Sequence, residues 1–204
     1  MSKLNNRLND FVTLFNAFWY RDFPLSANYK TLGSRAEWTT HIGVCVRSCA
    51  DLLGLFTYFE SGVRTDAVIK DNIGNDIAHI EWEWWQASSP EVNEIKKLFK
   101  EKRRTEFSVF ISYSRVDSHD RNLLSIRRQW RKSPHPLLVF LVTFERENNR
   151  RMFKNLETYL VRDGKMKHMR SQPALPWQVV GTRWELKEKT QEIAEKVIHL
   201  IANS

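Results

Sequence analysis

The 204-residue chain is poor in the residues that mark several large classes of protein. It contains 2 cysteines, 7 glycines and 6 prolines, which excludes a disulfide-stapled scaffold, a collagen-like repeat and a low-complexity tract. Its longest apolar run, residues 137–144, is too short to cross a bilayer. Polar residues occupy the first positions, where a secretory signal would need an apolar stretch. We therefore expect a cytoplasmic protein that does not associate with a membrane.

Several common catalytic motifs are also absent from the sequence. It has no glycine-rich dinucleotide motif, no phosphate-binding loop with its lysine, no His-Glu-x-x-His zinc motif and no nucleophile-elbow serine. Cys45 and Cys49 follow the apolar stripe of a predicted helix, and no Cys or His pair near them completes a zinc set. We therefore expect both cysteines to be small core residues.

Positive charge is present in excess, and it is unevenly distributed. The chain has 32 Lys and Arg against 24 Asp and Glu, a formal net charge of +8. Residues 101–135 contribute +5 and residues 136–170 contribute +4, directly after an acidic stretch, 61–100, with a net charge of −2. Concentrated positive charge favours a polyanion as partner. A basic surface that serves solubility alone is the alternative.

The pattern of apolar residues predicts an α/β protein with a mixed central sheet and helices on both of its faces. Three successive strands joined by turns imply antiparallel pairing, and the helix that follows them implies a crossover connection. We expect a single domain over residues 1–204, with a core at 34–113 and further helices and strands at 114–204. Strands are predicted at 55–60, 65–70, 77–85, 107–113, 137–144 and 156–161, the last as an edge strand. Helices are predicted in the first segment before Pro24, from Ser34, from Ser88–Pro90, and at 121–131 and 186–201.

Acidic residues are concentrated on two neighbouring strands of this predicted sheet. Asp66 begins one strand, and Glu81 and Glu83 lie on the next, where alternation places them on one face about 7 Å apart. Three converging carboxylates repel one another unless a cation or a proton is held between them. Oxygen ligands favour Mg²⁺ or Mn²⁺, which can activate a water and stabilise the charge of a reacting phosphate.

This arrangement resembles the PD-(D/E)xK nuclease superfamily, to which type II restriction enzymes belong. The resemblance covers about residues 34–113: Asp66 matches the first acid of the motif, Glu81 matches the second, and Glu83 stands at the position of the lysine. It implies a restriction-endonuclease-like fold and a Mg²⁺-dependent endonuclease that hydrolyses phosphodiester bonds in double-stranded DNA. In this family some members carry a further acid on the first helix of the core, a role that Glu37 or the strand-end Glu60 would fill. Type II enzymes act as homodimers, which the resemblance also implies here.

Arginines of the basic half are expected to contact the nucleic acid, because guanidinium groups suit phosphate contacts and base edges. The predicted contact residues are Arg103, Arg104, Arg121, Arg127, Arg128, Arg131 and Lys132. Two other functions are also compatible with these sequence features. One is a nucleic-acid-binding protein of this fold that does not cleave, which the glutamate at the lysine position favours. The other is a protein-binding domain whose basic half is incidental.

Overall fold

In the part of the chain that the computed structural model describes, a seven-stranded sheet forms the centre, and its strands follow one another in chain order. The structure describes residues 3–23, 35–61, 65–102, 105–147 and 150–183. Strands β1 to β3 are antiparallel, β3 to β5 are parallel, and β5 to β7 are antiparallel again. The strands are β1 (Phe56–Ser61), β2 (Thr65–Lys70), β3 (Asp76–Gln86), β4 (Phe107–Arg115), β5 (Leu137–Glu147), β6 (Arg150–Arg162) and β7 (Lys165–Pro173). The predicted mixed sheet flanked by helices is thus confirmed.

Four α-helices cover the two faces of this sheet within the described ranges. They are α1 (Lys3–Arg21), α2 (Arg35–Leu52), α3 (Glu94–Glu101) and α4 (His119–Trp130). Helices α1 and α2 contribute to one apolar cluster and α3 and α4 to another. Residues of the central strand β5 alternate between the two clusters, with Phe140 in the first and Val139 in the second. The parallel strands β4 and β5 are buried on both sides, because the crossover helices α3 and α4 cover one face and α1 and α2 cover the other.

Side chains of the α1–α2 cluster are largely aromatic. Phe15 packs against Phe140 with ring centroids 4.2 Å apart, and Trp19 stacks on Trp38 at 5.8 Å. Cys45 and Cys49 are buried and unpaired in this cluster, which confirms their predicted role as core residues. Burial in these apolar surroundings raises the pKa of both thiols.

The end of the sheet differs from its prediction. Strand β6 is interior rather than the edge strand expected at 156–161, because β7 pairs with its outer side. Strand β7 has little apolar alternation in its sequence, because most of its side chains are exposed. The turn between the two strands nevertheless has a sequence signal, the pair Asp163-Gly164, which is typical of a two-residue hairpin turn. Both residues have the positive φ that such a turn requires, 50° and 71°.

Other differences concern the ends of elements. Helix α3 begins at Glu94 rather than at 88–90, because the preceding residues form turns. The helix predicted at 186–201 lies outside the described residues, as does Ser34, the predicted start of the second helix. No helix in the described part of the chain combines the length and the apolar character needed to span a bilayer.

Candidate active site

The β2–β3 hairpin brings the first two predicted acids together. In this antiparallel pair Ala67 lies opposite Ile80, so the register places Asp66 beside Glu81. The backbone N–H of Trp82 donates to Oδ2 of Asp66 at 2.7 Å, which fixes the position of that carboxylate. Because the two acids are joined by a short hairpin, their proximity follows from local strand pairing.

Glu81 has an unusual environment for a carboxylate. Its side chain is 1% exposed, and neither Oε1 nor Oε2 has a hydrogen-bond partner among the described residues. Burial, reinforced by the neighbouring charge of Asp66, raises the pKa of Glu81 to about 8. Burial also raises the pKa of Asp66, although the Trp82 N–H and the charge of Lys97 act in the opposite direction. The pair therefore retains a proton near neutral pH unless a cation takes its place.

Helix α3 contributes a lysine that the sequence analysis did not identify. Lys97 Nζ lies 3.6 Å from Glu81 Oε2, an ion-pair distance longer than a hydrogen bond, and 3.3 Å from Glu94 Oε1. Partial burial lowers the pKa of Lys97, but the charges of Glu81 and Glu94 outweigh it and the net pKa is raised. Lys97 is therefore a permanent ammonium group beside the carboxylate pair.

Glu83, at the motif position of the lysine, stabilises an irregularity in β3. Its Oε1 accepts the backbone N–H groups of Trp84 at 2.6 Å and Trp85 at 3.1 Å. These two residues lie in a register shift between Glu83 and Gln86, where β3 pairs with β4. Arg35 Nη2 is 3.6 Å from the same oxygen. The side-chain alternation predicted for this strand therefore stops at Glu83, which caps a β-bulge.

A pocket of about 220 Å³ lies between α2, α3 and the end of β3, and it contains the three predicted catalytic acids. Its lining residues are Arg35, Trp38, Thr39, Ile42, Asp66, Glu81, Trp82, Glu83, Trp84, Glu94, Lys97 and Tyr113. Glu37, predicted as a further metal ligand, is exposed on the first turn of α2 and is not part of this lining. Across the described residues, no group of three or more His, Cys, Asp or Glu side chains has an arrangement that could hold a metal ion.

The predicted nucleic-acid contacts lie on α4 and just beyond it, away from this lining. The residues that the structure describes are exposed: Arg121, Arg127, Arg128, Arg131 and Lys132. Arg103 and Arg104 are outside the described residues. Helix α4 packs on the same face of the sheet as α3, which carries Lys97. The exposed cations and the ammonium group of the pocket thus belong to helices on one face.

The sequence contained a signal for the residues that were missed on α3. Glu94 and Lys97 stand three apart on the helix that directly follows the motif strand, and this spacing places them on one helical face. Such a pair is common on solvated helices, so the spacing alone does not assign it to a site. Arg35 carried no comparable signal, because its position in the pocket depends on how α2 packs against the sheet.

Comparisons with known proteins add no family assignment to this α/β architecture. No protein-family model matches the chain, and no curated protein matches it in sequence. Among solved structures, the YaeQ protein from Pseudomonas syringae is similar at a TM-score of 0.30, with 12% identity, over 67% of this chain and 76% of that one. The YaeQ protein from Xanthomonas axonopodis pv. citri has a TM-score of 0.26 and 10% identity, over 58% and 70% of the two chains.

Proposed function

We propose that the protein is a metal-dependent DNA endonuclease of the PD-(D/E)xK type, with a restriction-endonuclease-like fold. In this proposal Asp66 and Glu81 bind the cation, and Lys97 supplies from α3 the positive charge that the motif lysine would supply from the strand. The observation that carries the proposal is the Glu81 carboxylate, buried beside Asp66 without a hydrogen bond. Two buried carboxylates with a single ammonium group beside them are costly to ionise, and a divalent cation would reduce that cost.

The chemistry of the donor set fits Mg²⁺ or Mn²⁺. Mg²⁺ is commonly bound through one or two carboxylates while waters and substrate phosphate oxygens complete its coordination. Asp66 and Glu81 supply two such carboxylates, so a site of this kind needs no third acidic residue. Glu94 and Glu83 also line the pocket and are placed to accept hydrogen bonds from waters there. Glu37 has no part in this proposal because it does not line the pocket.

The residues of the pocket can each contribute to phosphodiester hydrolysis. A divalent cation supplies a Lewis acid that draws charge from a phosphate oxygen and lowers the pKa of a water. Lys97 carries a fixed positive charge at Glu81, where it can hold a phosphate oxygen and stabilise negative charge that develops during the reaction. Glu83 holds the bulge of Trp84 and Trp85, and thereby shapes the wall of the pocket opposite α3.

Double-stranded DNA is the proposed partner, and the exposed cations of α4 support it. Arginine donors positioned on a helix surface suit contacts with the phosphate backbone. A nucleic-acid-binding protein that does not cleave is the second candidate. Glu83, at the motif position of the lysine, favours that candidate. Its hydrogen bonds to the β-bulge account for this residue without a role in catalysis.

Incubation of supercoiled plasmid DNA with the protein, in Mg²⁺, in Mn²⁺ and in EDTA, tests the proposal. We expect nicking or linearisation in the metal ions only, and a loss of about 10²-fold or more in rate for Glu81→Gln and Lys97→Met. Lys96→Met is a matched control, because Lys96 is the neighbouring lysine on α3 and donates to Asn93 instead. Cleavage that survives Glu81→Gln would rule out this site, and salt-sensitive binding without cleavage would favour the second candidate.

A further inference from the structure

The wall of the pocket near α2, formed by Arg35, Trp38, Trp84 and Tyr113, differs chemically from the acidic wall near α3. Arg151, on β6, extends beneath this wall, where its guanidinium carbon lies 3.9 Å from the ring centroid of Trp84 and 5.2 Å from that of Tyr113. Its Nη1 donates to the backbone carbonyl of Trp84 at 3.0 Å. Trp84 and Tyr113 both line the pocket, so the cation is held directly against the pocket wall by aromatic stacking.

Positive charge near this wall exceeds the negative charge available to balance it. Arg151 has no ion pair with a carboxylate in the described ranges, while Arg35 has the Glu83 carboxylate at 3.6 Å. Burial lowers the pKa of Arg151 to about 10, and the positive charges of Arg146 and Arg35 add to this effect. The guanidinium group of Arg151 is therefore repelled by those of Arg35 and Arg146. An anion bound among them would relieve that repulsion.

Two buried side chains of the same wall hold polar groups that lack partners. The Tyr113 hydroxyl and the Trp38 Nε1–H are buried, and neither has a hydrogen-bond partner among the described residues. Both residues line the pocket and are at most 2% exposed. The indole N–H can only donate, and the phenol can donate as well. Because unsatisfied buried polar groups are uncommon and costly, their presence together indicates a ligand rich in acceptor oxygens.

We propose that Arg35, Tyr113 and Trp38, with Arg151 behind them, form a subsite for a phosphate group of a nucleic acid strand. A phosphate has the negative charge that the guanidinium groups lack and the acceptor oxygens that the two unpartnered donors need. The proposal rests on the proposed function for the identity of its ligand. It deepens that function by dividing the pocket into an acidic wall that binds the metal and a donor wall that holds a phosphate of the same strand.

Two sources of this phosphate share the same chemistry. One is an internal phosphodiester of the strand, and the other is a terminal phosphate monoester.

The alternative is that no ligand binds here and that Arg151 only fills the core by stacking on aromatic rings. Tyr113→Phe distinguishes these interpretations, because it removes a hydroxyl that has no hydrogen-bond partner among the described residues. If no ligand uses that hydroxyl, its removal should leave binding unchanged and stability equal or higher.

The test measures binding of fluorescent single-stranded oligonucleotides in EDTA, with a 5′-phosphate or a 5′-hydroxyl, by anisotropy. We expect Tyr113→Phe to weaken binding by about three- to tenfold, and Arg35→Gln to reduce the slope of log affinity against log salt by about 0.7. Arg47→Gln is the matched control for Arg35→Gln: Arg47 is also on α2, where its guanidinium group lies 4.9 Å from the ring centroid of Phe59, but it does not line the pocket.

Each outcome of this experiment has a definite meaning. If the unmodified protein binds the 5′-phosphate strand more tightly than the 5′-hydroxyl strand, and both variants lose this preference, the ligand is a terminal monoester. Equal weakening for both strands identifies an internal phosphodiester. If Tyr113→Phe and Arg35→Gln bind both strands as the unmodified protein does, the subsite does not exist. Because no metal is present, these results are independent of cleavage, so a failure of the nuclease proposal can be told apart from a failure of this one.

Discussion

Replacing Glu81 by glutamine should stabilise the metal-free protein at alkaline pH. The pKa of Glu81 is raised from 4.5 to about 8, so the folded protein holds this proton more tightly than the unfolded chain does. Stability that depends on the protonated form is complete below about pH 4.5 and is lost as the pH rises through about 8. Glutamine keeps the shape of the neutral acid and cannot ionise, so Glu81→Gln should not lose this stability.

The size of the effect follows from the shift. One pKa unit corresponds to about 1.4 kcal/mol, so the shift sets an upper bound of about 5 kcal/mol on the cost of ionising Glu81. The shift already includes the charge of Asp66, which increases this cost, and the charge of Lys97, which reduces it. For a chain of this length each kcal/mol changes the melting temperature by about 2–4 °C. We therefore expect Glu81→Gln to melt several degrees above the unmodified protein near pH 8 in EDTA.

Thermal unfolding followed by circular dichroism, at pH values on both sides of 8, measures this difference. Mg²⁺ should raise the melting temperature of the unmodified protein and leave that of Glu81→Gln almost unchanged, because ligand binding stabilises only the state that binds. Glu147→Gln, an exposed change at the end of β5, is the control. The reasoning is refuted if Glu81→Gln is less stable than the unmodified protein near pH 8 in EDTA.

Three further predictions concern other parts of the molecule. Arg127→Gln with Arg128→Gln should weaken duplex binding and lower its salt dependence, since each phosphate contact contributes about 0.9 to the slope; unchanged titrations at several salt concentrations would exclude α4 from the interface. Phe140→Ala should reduce the free energy of unfolding by about 3–5 kcal/mol, because Phe140 is fully buried against Phe15, and urea unfolding measures it. The homodimer remains a prediction, and light scattering that finds a monomer at all accessible concentrations would contradict it.

The sequence was sufficient to predict most elements that have a strong local pattern. The central strands β4 and β5 are continuous apolar runs and were predicted close to their observed positions. Strand β7 was missed, because at this end of the sheet its side chains are largely exposed and carry no apolar alternation. The start of α3 was predicted too early, since Ser88, Ser89 and Pro90 are equally compatible with a turn and with a helix start.

By itself, the sequence determined the pairing of Asp66 with Glu81, because a short hairpin between two strands allows few registers and one of them places these residues together. Only the tertiary structure decided what surrounds the pair. Lys97 reaches Glu81 through the packing of α3 on the sheet. At the opposite wall, the charge of Arg35 from α2 lowers the pKa of Arg151 from β6. Such contacts join residues far apart in the chain, and their energies depend on burial and on neighbouring charges that no local pattern records.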